Sequence, residues 1–173
     1  MAISVRVADL SDGPAIDKVL GECYPALFRG AYDEEALAAF LPHIIYSQPE
    51  LLESGKFFVA ESAESGETRI LACGGWSLHR PGSREVIAGL GHLRHFAVHP
   101  DCIGKGIGRS IFEACAQQSK EFGVVEFECC SSLVAEGFYA RLGLQTIETK
   151  ELTLKEGVPP IPCKIMKTRD TSL

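Results

Sequence analysis

The sequence predicts an α/β chain in the order strand, two helices, three strands, helix, strand, helix, two strands. Three observations predict it. Short runs alternate apolar and polar residues with a period of two, as half-buried strands do. Between them lie runs whose apolar residues recur three and four apart, bounded by capping residues and glycines, as amphipathic helices are. A loop with glycines at 104, 106 and 108 joins one such strand to one such helix.

Composition narrows the class. A length of 173 residues suits one domain over 1–173 with a substantial core. A hydrophobic share of 46% and a charged share of 23% fit a soluble globular protein. The net charge of −6, with no basic stripe, argues against nucleic acid as a main partner and is compatible with a cationic amine. No apolar run approaches the roughly 20 residues of a membrane span. Seven scattered cysteines include no CxxC pair, which leaves a zinc or redox motif without support. With no apolar leader at the N-terminus, reduced thiols and a cytoplasmic setting are expected.

Each element has its own signature. Ile3 to Ala8 alternate, which predicts a strand. Ser11-Asp12-Gly13-Pro14 reads as a helix start, with Ile16, Val19, Leu20 and Cys23 as its apolar stripe and Pro25 kinking or ending it. Asp33 is placed to cap a second helix carrying Leu37, Phe40 and Leu41. The aromatics from Tyr24 to Tyr46 read mostly as core. Strands at 57–61 and 69–77 flank the turn Glu64-Ser65-Gly66-Glu67, a hairpin. The paired glycines 74 and 75 mark a bulge or a close backbone approach.

A further strand runs from His92 to Val98, and its apolar positions are Leu93, Phe96 and Val98. The jump of three predicts a β-bulge between Leu93 and Phe96. The helix after the glycine loop has Ile107, Ile111, Cys115 and Phe122 on its apolar face and Gly123 as its stop. A strand over 124–130 follows, then Ser131 and Ser132 as candidate N-caps of a helix over 133–142 closed by Gly143. The runs 144–152 and 161–167 read as two final strands, with fraying expected after Met166.

The glycine loop leaves backbone N–H groups free beside a helix N-terminus, an arrangement that binds phosphate. It fits neither GxxxxGK[ST] nor GxGxxG. The block VHPDCIGKGIGRSIF instead resembles the acetyl-CoA-binding motif R/Q-x-x-G-x-G/A of the GCN5-related N-acetyltransferase (GNAT) superfamily, with Gly106 and Gly108 at the small positions and Val98 and Pro100 at the strand end. Ile103 stands where Arg or Gln is usual. SLVAEGFYARLGL resembles a second family pattern, N-x-x-A-x-x-F-Y-x-K-x-G-F, through Ala135, Phe138, Tyr139 and Gly143, with Ser132, Arg141 and Leu144 as departures.

The resemblance implies the GNAT fold, a mixed and mostly antiparallel sheet of about seven strands with a splayed, bulged central strand and helices on both faces. It implies transfer of acetyl from acetyl-CoA to a primary amine by direct attack, a backbone N–H holding the carbonyl oxygen. Phe96, Ala97 and Val98 would hold the pantetheine arm. The N–H groups of Gly104, Lys105, Gly106, Ile107, Gly108 and Arg109 would cradle the pyrophosphate, with Lys105 and Arg109 adding charge; Ile103 and Ser132 complete this cofactor set. Tyr139 is the expected general acid. His92, His95 and Glu128 are three options for the base. The three histidines 92, 95 and 99 fall on mixed strand faces, so no metal is expected. Cys129 and Cys130 point to opposite faces, and Cys102 reads as exposed and oxidisable. The acceptor is a small-molecule or peptide amine, contacted by the N-terminal helices and the loop near 79–84. A homodimer is compatible by analogy. A non-catalytic acyl-CoA-binding or regulatory module is the competing reading.

Overall fold

The computed structural model describes residues 3–64 and 67–168. Among these, seven strands form one sheet: β1 (Ile3–Val7), β2 (Phe57–Glu64), β3 (Glu67–Ser77), β4 (Leu90–Val98), β5 (Glu126–Ser131), β6 (Leu144–Leu152) and β7 (Ile161–Thr168). The helices are α1 (Gly13–Phe28), α2 (Glu34–Phe40), α3 (Pro49–Glu53), α4 (Ile107–Ser119) and α5 (Glu136–Arg141). The spatial order is β1-β2-β3-β4-β5-β7-β6. Only β4 and β5 pair in parallel; the other neighbours are antiparallel.

Alternation along the strands divides the core. Phe58 and Ala60 of β2 face the layer that holds Trp76, Ile111 and Phe127 under α4. Phe57 and Val59 face the other way, onto Ile16, Leu20 and Cys23 of α1. A third cluster joins Phe28, Tyr32, Leu37 and Phe40 to Ile161 of β7. Helices therefore cover both faces, as expected. Most of the aromatic run from Tyr24 to Tyr46 is core, though Tyr46 itself is exposed.

Several expectations need correction. Pro25 does not end α1, which continues to Phe28. The missing Pro25 N–H costs one helical bond, while Phe28, one turn on, is buried and keeps the chain helical. The one-turn helix α3, opened by Pro49, is additional; five residues are too few to show a period. Ser131 and Ser132 cap nothing. Ser131 ends β5, and the Ser132 carbonyl accepts from the Ala135 N–H at 3.2 Å in a turn that delays α5 to Glu136. Phe122 lies beyond α4 in a 3-10 turn and is exposed, its ring edge-on to Trp76 at 5.4 Å. Strand β5 begins at Glu126, not 124. Cys102 is buried. Lys167 and Thr168 stay in β7, and the five residues after them lie outside the described residues. So do Ser65 and Gly66 of the β2–β3 turn; both strands reach it, at Glu64 and Glu67. Asp33 does cap α2, its Oδ1 accepting from the Ala36 N–H at 2.9 Å. No helix of the described residues is long and apolar enough to cross a membrane.

Candidate active site

The site follows from how β4 meets its two neighbours. Against β3, Cys73 pairs with Ala97 and Gly75 with Arg94, so Gly74 alone faces both His95 and Phe96. This is the bulge expected between Leu93 and Phe96. His95 takes the strain, with φ +50. The Phe96 ring lies over Gly74, where an added Cβ would come within 2.8 Å of it. Against β5, pairing runs from Leu90–Glu126 to His92–Glu128 and stops. Beyond His92 the two central strands part, and the split opens the sheet.

Beside the split lies a groove of about 560 Å³, lined by α1, β4, the glycine loop, α4, the turn into α5 and α5 itself. The loop backbone is built to face it. Gly106 holds the N-cap position of α4 at φ +79, a left-handed conformation that favours glycine. A Cβ there, or at Gly104, would meet nothing within 4 Å. The first N–H groups of α4 have no intrahelical partner, receive no side-chain cap among the described residues, and lie at the positive end of the helix dipole. Gly108 serves packing instead, since a Cβ would lie 3.0 Å from the Phe138 ring. A long, partly anionic ligand fits these walls: free amides at one end, apolar strand and aromatic rings along the rest.

Of the expected cofactor residues, Phe96, Ala97, Val98, Ile103, Gly104, Gly106, Ile107, Gly108, Arg109 and Ser132 all line the groove. Lys105 is exposed on the loop outside that lining. Arg109 donates to the Arg141 carbonyl at 3.0 Å. Tyr139 is buried behind the lining, its ring edge-on to Phe96 at 6.1 Å and to Phe138 at 5.1 Å. Burial holds its phenol well above the usual 10, so it stays protonated.

A second cavity, of about 250 Å³, also borders the split. Cys129 packs toward α4, so Glu128 and Cys130 alternate to the opposite face. Glu128 sits 3.6 Å from Arg80 and 3.7 Å from His92 Nδ1. Arg80 Nε and His92 Nε2 are buried without a hydrogen-bond partner among the described residues. His95 turns elsewhere, to Gln48 at 3.0 Å. The structure thus brings His92 and Glu128 together and sets His95 apart.

A family model described as an acetyltransferase (GNAT) domain matches residues 29–167. The chain belongs to the GNAT acetyltransferases. No curated protein gives a significant match. Among solved structures, a GCN5-related N-acetyltransferase from Rhodopseudomonas palustris is 18% identical over 100% of this chain and 99% of that one, with a TM-score of 0.73. The PaiA N-acetyltransferase from Thermoplasma acidophilum, in complex with coenzyme A, is 18% identical over 98% and 99%, with a TM-score of 0.68. The ribosomal-protein-S18-alanine N-acetyltransferase from Escherichia coli is 15% identical over 96% and 93%, with a TM-score of 0.60. At such identities these structures support the GNAT fold alone.

The GNAT groove also uses residues that the sequence reading does not assign to it. Tyr24 of α1 lines it and donates its hydroxyl to the Phe96 carbonyl at 3.3 Å, clamping the bulge. Arg141 lines it from α5. Arg141 stands in the second family pattern and Tyr24 in the aromatic run read mostly as core, with a pocket wall as its other reading. Neither signal assigns the groove, because tertiary packing alone brings α1 to it.

His92 and His95 are both held well below the usual histidine range. Burial first, then the nearby Arg80 and Arg94, lower His92 from 6.5 to about 4. Burial and Arg94 do the same to His95. Because the folded value is the lower one, the unfolded chain binds more protons between pH 4 and 6.5. The neutral His92 therefore contributes stability above 6.5 that is lost as pH falls toward 4. A His92→Asn variant is expected to flatten unfolding free energy against pH across that window. Parallel profiles for the two proteins would count against this account.

Proposed function

We propose that the protein, as one N-acetyltransferase domain, transfers acetyl from acetyl-CoA to a primary amine on a small molecule or peptide. One observation carries this: β4 and β5 part after the His92–Glu128 pair, beside a groove lined by the strand edge from Phe96 to Val98 and by the glycine loop at the start of α4. Acetyl-CoA supplies an activated acyl thioester. The amides at the start of α4 bind its pyrophosphate, and the edge from Phe96 to Val98 hydrogen-bonds its pantetheine. The bulge, held by Tyr24, presents a backbone N–H to the thioester oxygen and so favours the charge that develops there.

Glu128 draws the ammonium into the second cavity. A free amine with a pKa of about 10 is protonated at neutral pH. Glu128 takes one proton from it, directly or through water, which frees the lone pair to attack. The second, made acidic as nitrogen bonds to carbon, replaces the proton that Tyr139 gives up. His92, neutral and with Nε2 unpaired, orients the amine. Tyr139 donates its phenolic proton to the departing sulfur.

The test is release of free CoA thiol from acetyl-CoA across a panel of amines, beside thermal stabilisation by CoA. Turnover with at least one amine is expected. Stabilisation without turnover on any amine would replace this reading with a non-catalytic CoA-binding module.

A further inference from the structure

Cys130 of β5 and Cys163 of β7 hold their sulfurs 3.0 Å apart. Cys130 stands opposite Ile165, and Cys163 lies two residues along the same face, so the thiols form a diagonal cross-strand pair. The chain brings them together only because β7 inserts between β5 and β6. Of the seven cysteines, all within the described residues, Cys130 alone is exposed. It also lines the second cavity, together with His92 and Glu128.

We propose that Cys130 and Cys163 are a reversible, peroxide-oxidised dithiol in the wall of the second cavity. About 1 Å of approach separates their sulfurs from the disulfide length of roughly 2.05 Å. Acidity and access oppose each other in this pair: Cys163 is the more acidic thiol and Cys130 the accessible one, so Cys130 reacts only after passing its proton on. The Cys130 S–H donates to the Cys163 sulfur, which with Lys150 holds the Cys163 thiol below its usual range. The same bond raises Cys130.

The reaction balances in two steps. When the shared proton moves to Cys163, the accessible Cys130 thiolate attacks one peroxide oxygen. The O–O bond breaks, hydroxide leaves, and Cys130 becomes a sulfenic acid. Cys163, losing its proton, then attacks the Cys130 sulfur and expels the second oxygen as water. The two thiols give up two electrons and two protons, and peroxide becomes two waters. The bond draws the Cys130 sulfur off the wall beside Glu128, reshaping the cavity assigned to the acceptor. That consequence rests on the proposed acetyl transfer; the thiol chemistry does not.

The experiment treats the whole protein with hydrogen peroxide, blocks remaining thiols by alkylation and maps peptides by mass spectrometry. Two thiols should disappear, with a Cys130–Cys163 cross-linked peptide and a mass lower by about 2 Da before alkylation, restored by dithiothreitol. Cys130→Ser, at an exposed position that tolerates it, should slow thiol loss roughly tenfold and give no cross-link. Cys163→Ala should leave a Cys130 sulfenic acid that dimedone traps. Absence of the cross-linked peptide, or Cys130→Ser losing thiols at the wild-type rate, would overturn the proposal. Neither readout depends on turnover, so failure of the acetyl-transfer reading stays separate.

Discussion

Replacing Tyr139 by phenylalanine is expected to lower kcat by about 10²–10⁴-fold, the range of a lost general acid. The KM for acetyl-CoA should stay within about twofold, because the hydroxyl is assigned to the transition state and not to binding. The residue is only 7% exposed and is packed edge-on against Phe96 and Phe138. Phenylalanine keeps those contacts, so the melting temperature serves as the control. The direction follows from the raised phenol, which burial keeps protonated past the usual 10. A CoA thiol with a pKa of about 8.5 leaves as a thiolate and takes that proton. The alkaline limb of the kcat profile should therefore not reflect loss of the Tyr139 proton below the usual value. Undiminished turnover in the variant would remove Tyr139 from the reaction. Tyr24, which lines the groove itself and also has its phenol raised by burial, would then be the remaining phenolic donor.

How far the sequence reaches depends on whether a feature is local. Strand β6 matches its expected run from Leu144 to Leu152 because Gly143 before it and the proline-containing loop after it bound the segment, although Leu144, Ile147 and Leu152 do not alternate and the register shifts between Thr146 and Glu148. The bulge was legible from period: the three-residue step from Leu93 to Phe96 breaks the strand alternation where Gly74 faces two residues. The loop is legible through Gly106, whose left-handed backbone favours glycine. The second cavity was not. It depends on β7 inserting between β5 and β6, which places residues far apart in the chain on one wall. Nor could periodicity show that α1 survives Pro25 or that Tyr24 clamps the bulge at Phe96, since both depend on tertiary packing. Cysteine exposure failed in the same way. Cys102 sits in a loop yet is buried, while Cys130 sits in a strand yet is exposed.

The paired glycines beside the bulge allow packing to be separated from chemistry. Gly75 is not among the positive-φ glycines, so space explains it and backbone freedom does not. A Cβ at Gly75 would lie 2.5 Å from the Lys56 carbonyl oxygen and 2.8 Å from the Phe57 Cα. Both are backbone atoms at the start of the neighbouring strand β2, and neither can rotate away. That same carbonyl accepts from the Trp76 N–H at 3.0 Å, so parting the strands also weakens a bond beside the fully buried Trp76. Gly75→Ala is therefore expected to cost about 3 kcal/mol, at the upper end of overpacking. In a chain of this size that is a fall of roughly 6–12 °C in melting temperature, with a matching drop in the urea midpoint. Gly74→Ala meets only the Phe96 ring, at 2.8 Å, and a side chain can move. Its cost should fall on the groove wall, raising the KM for acetyl-CoA more than it lowers stability. A Gly75→Ala protein melting within about 2 °C of wild type would show that β2 and β3 separate freely at this point. The close approach would then not be what requires glycine there.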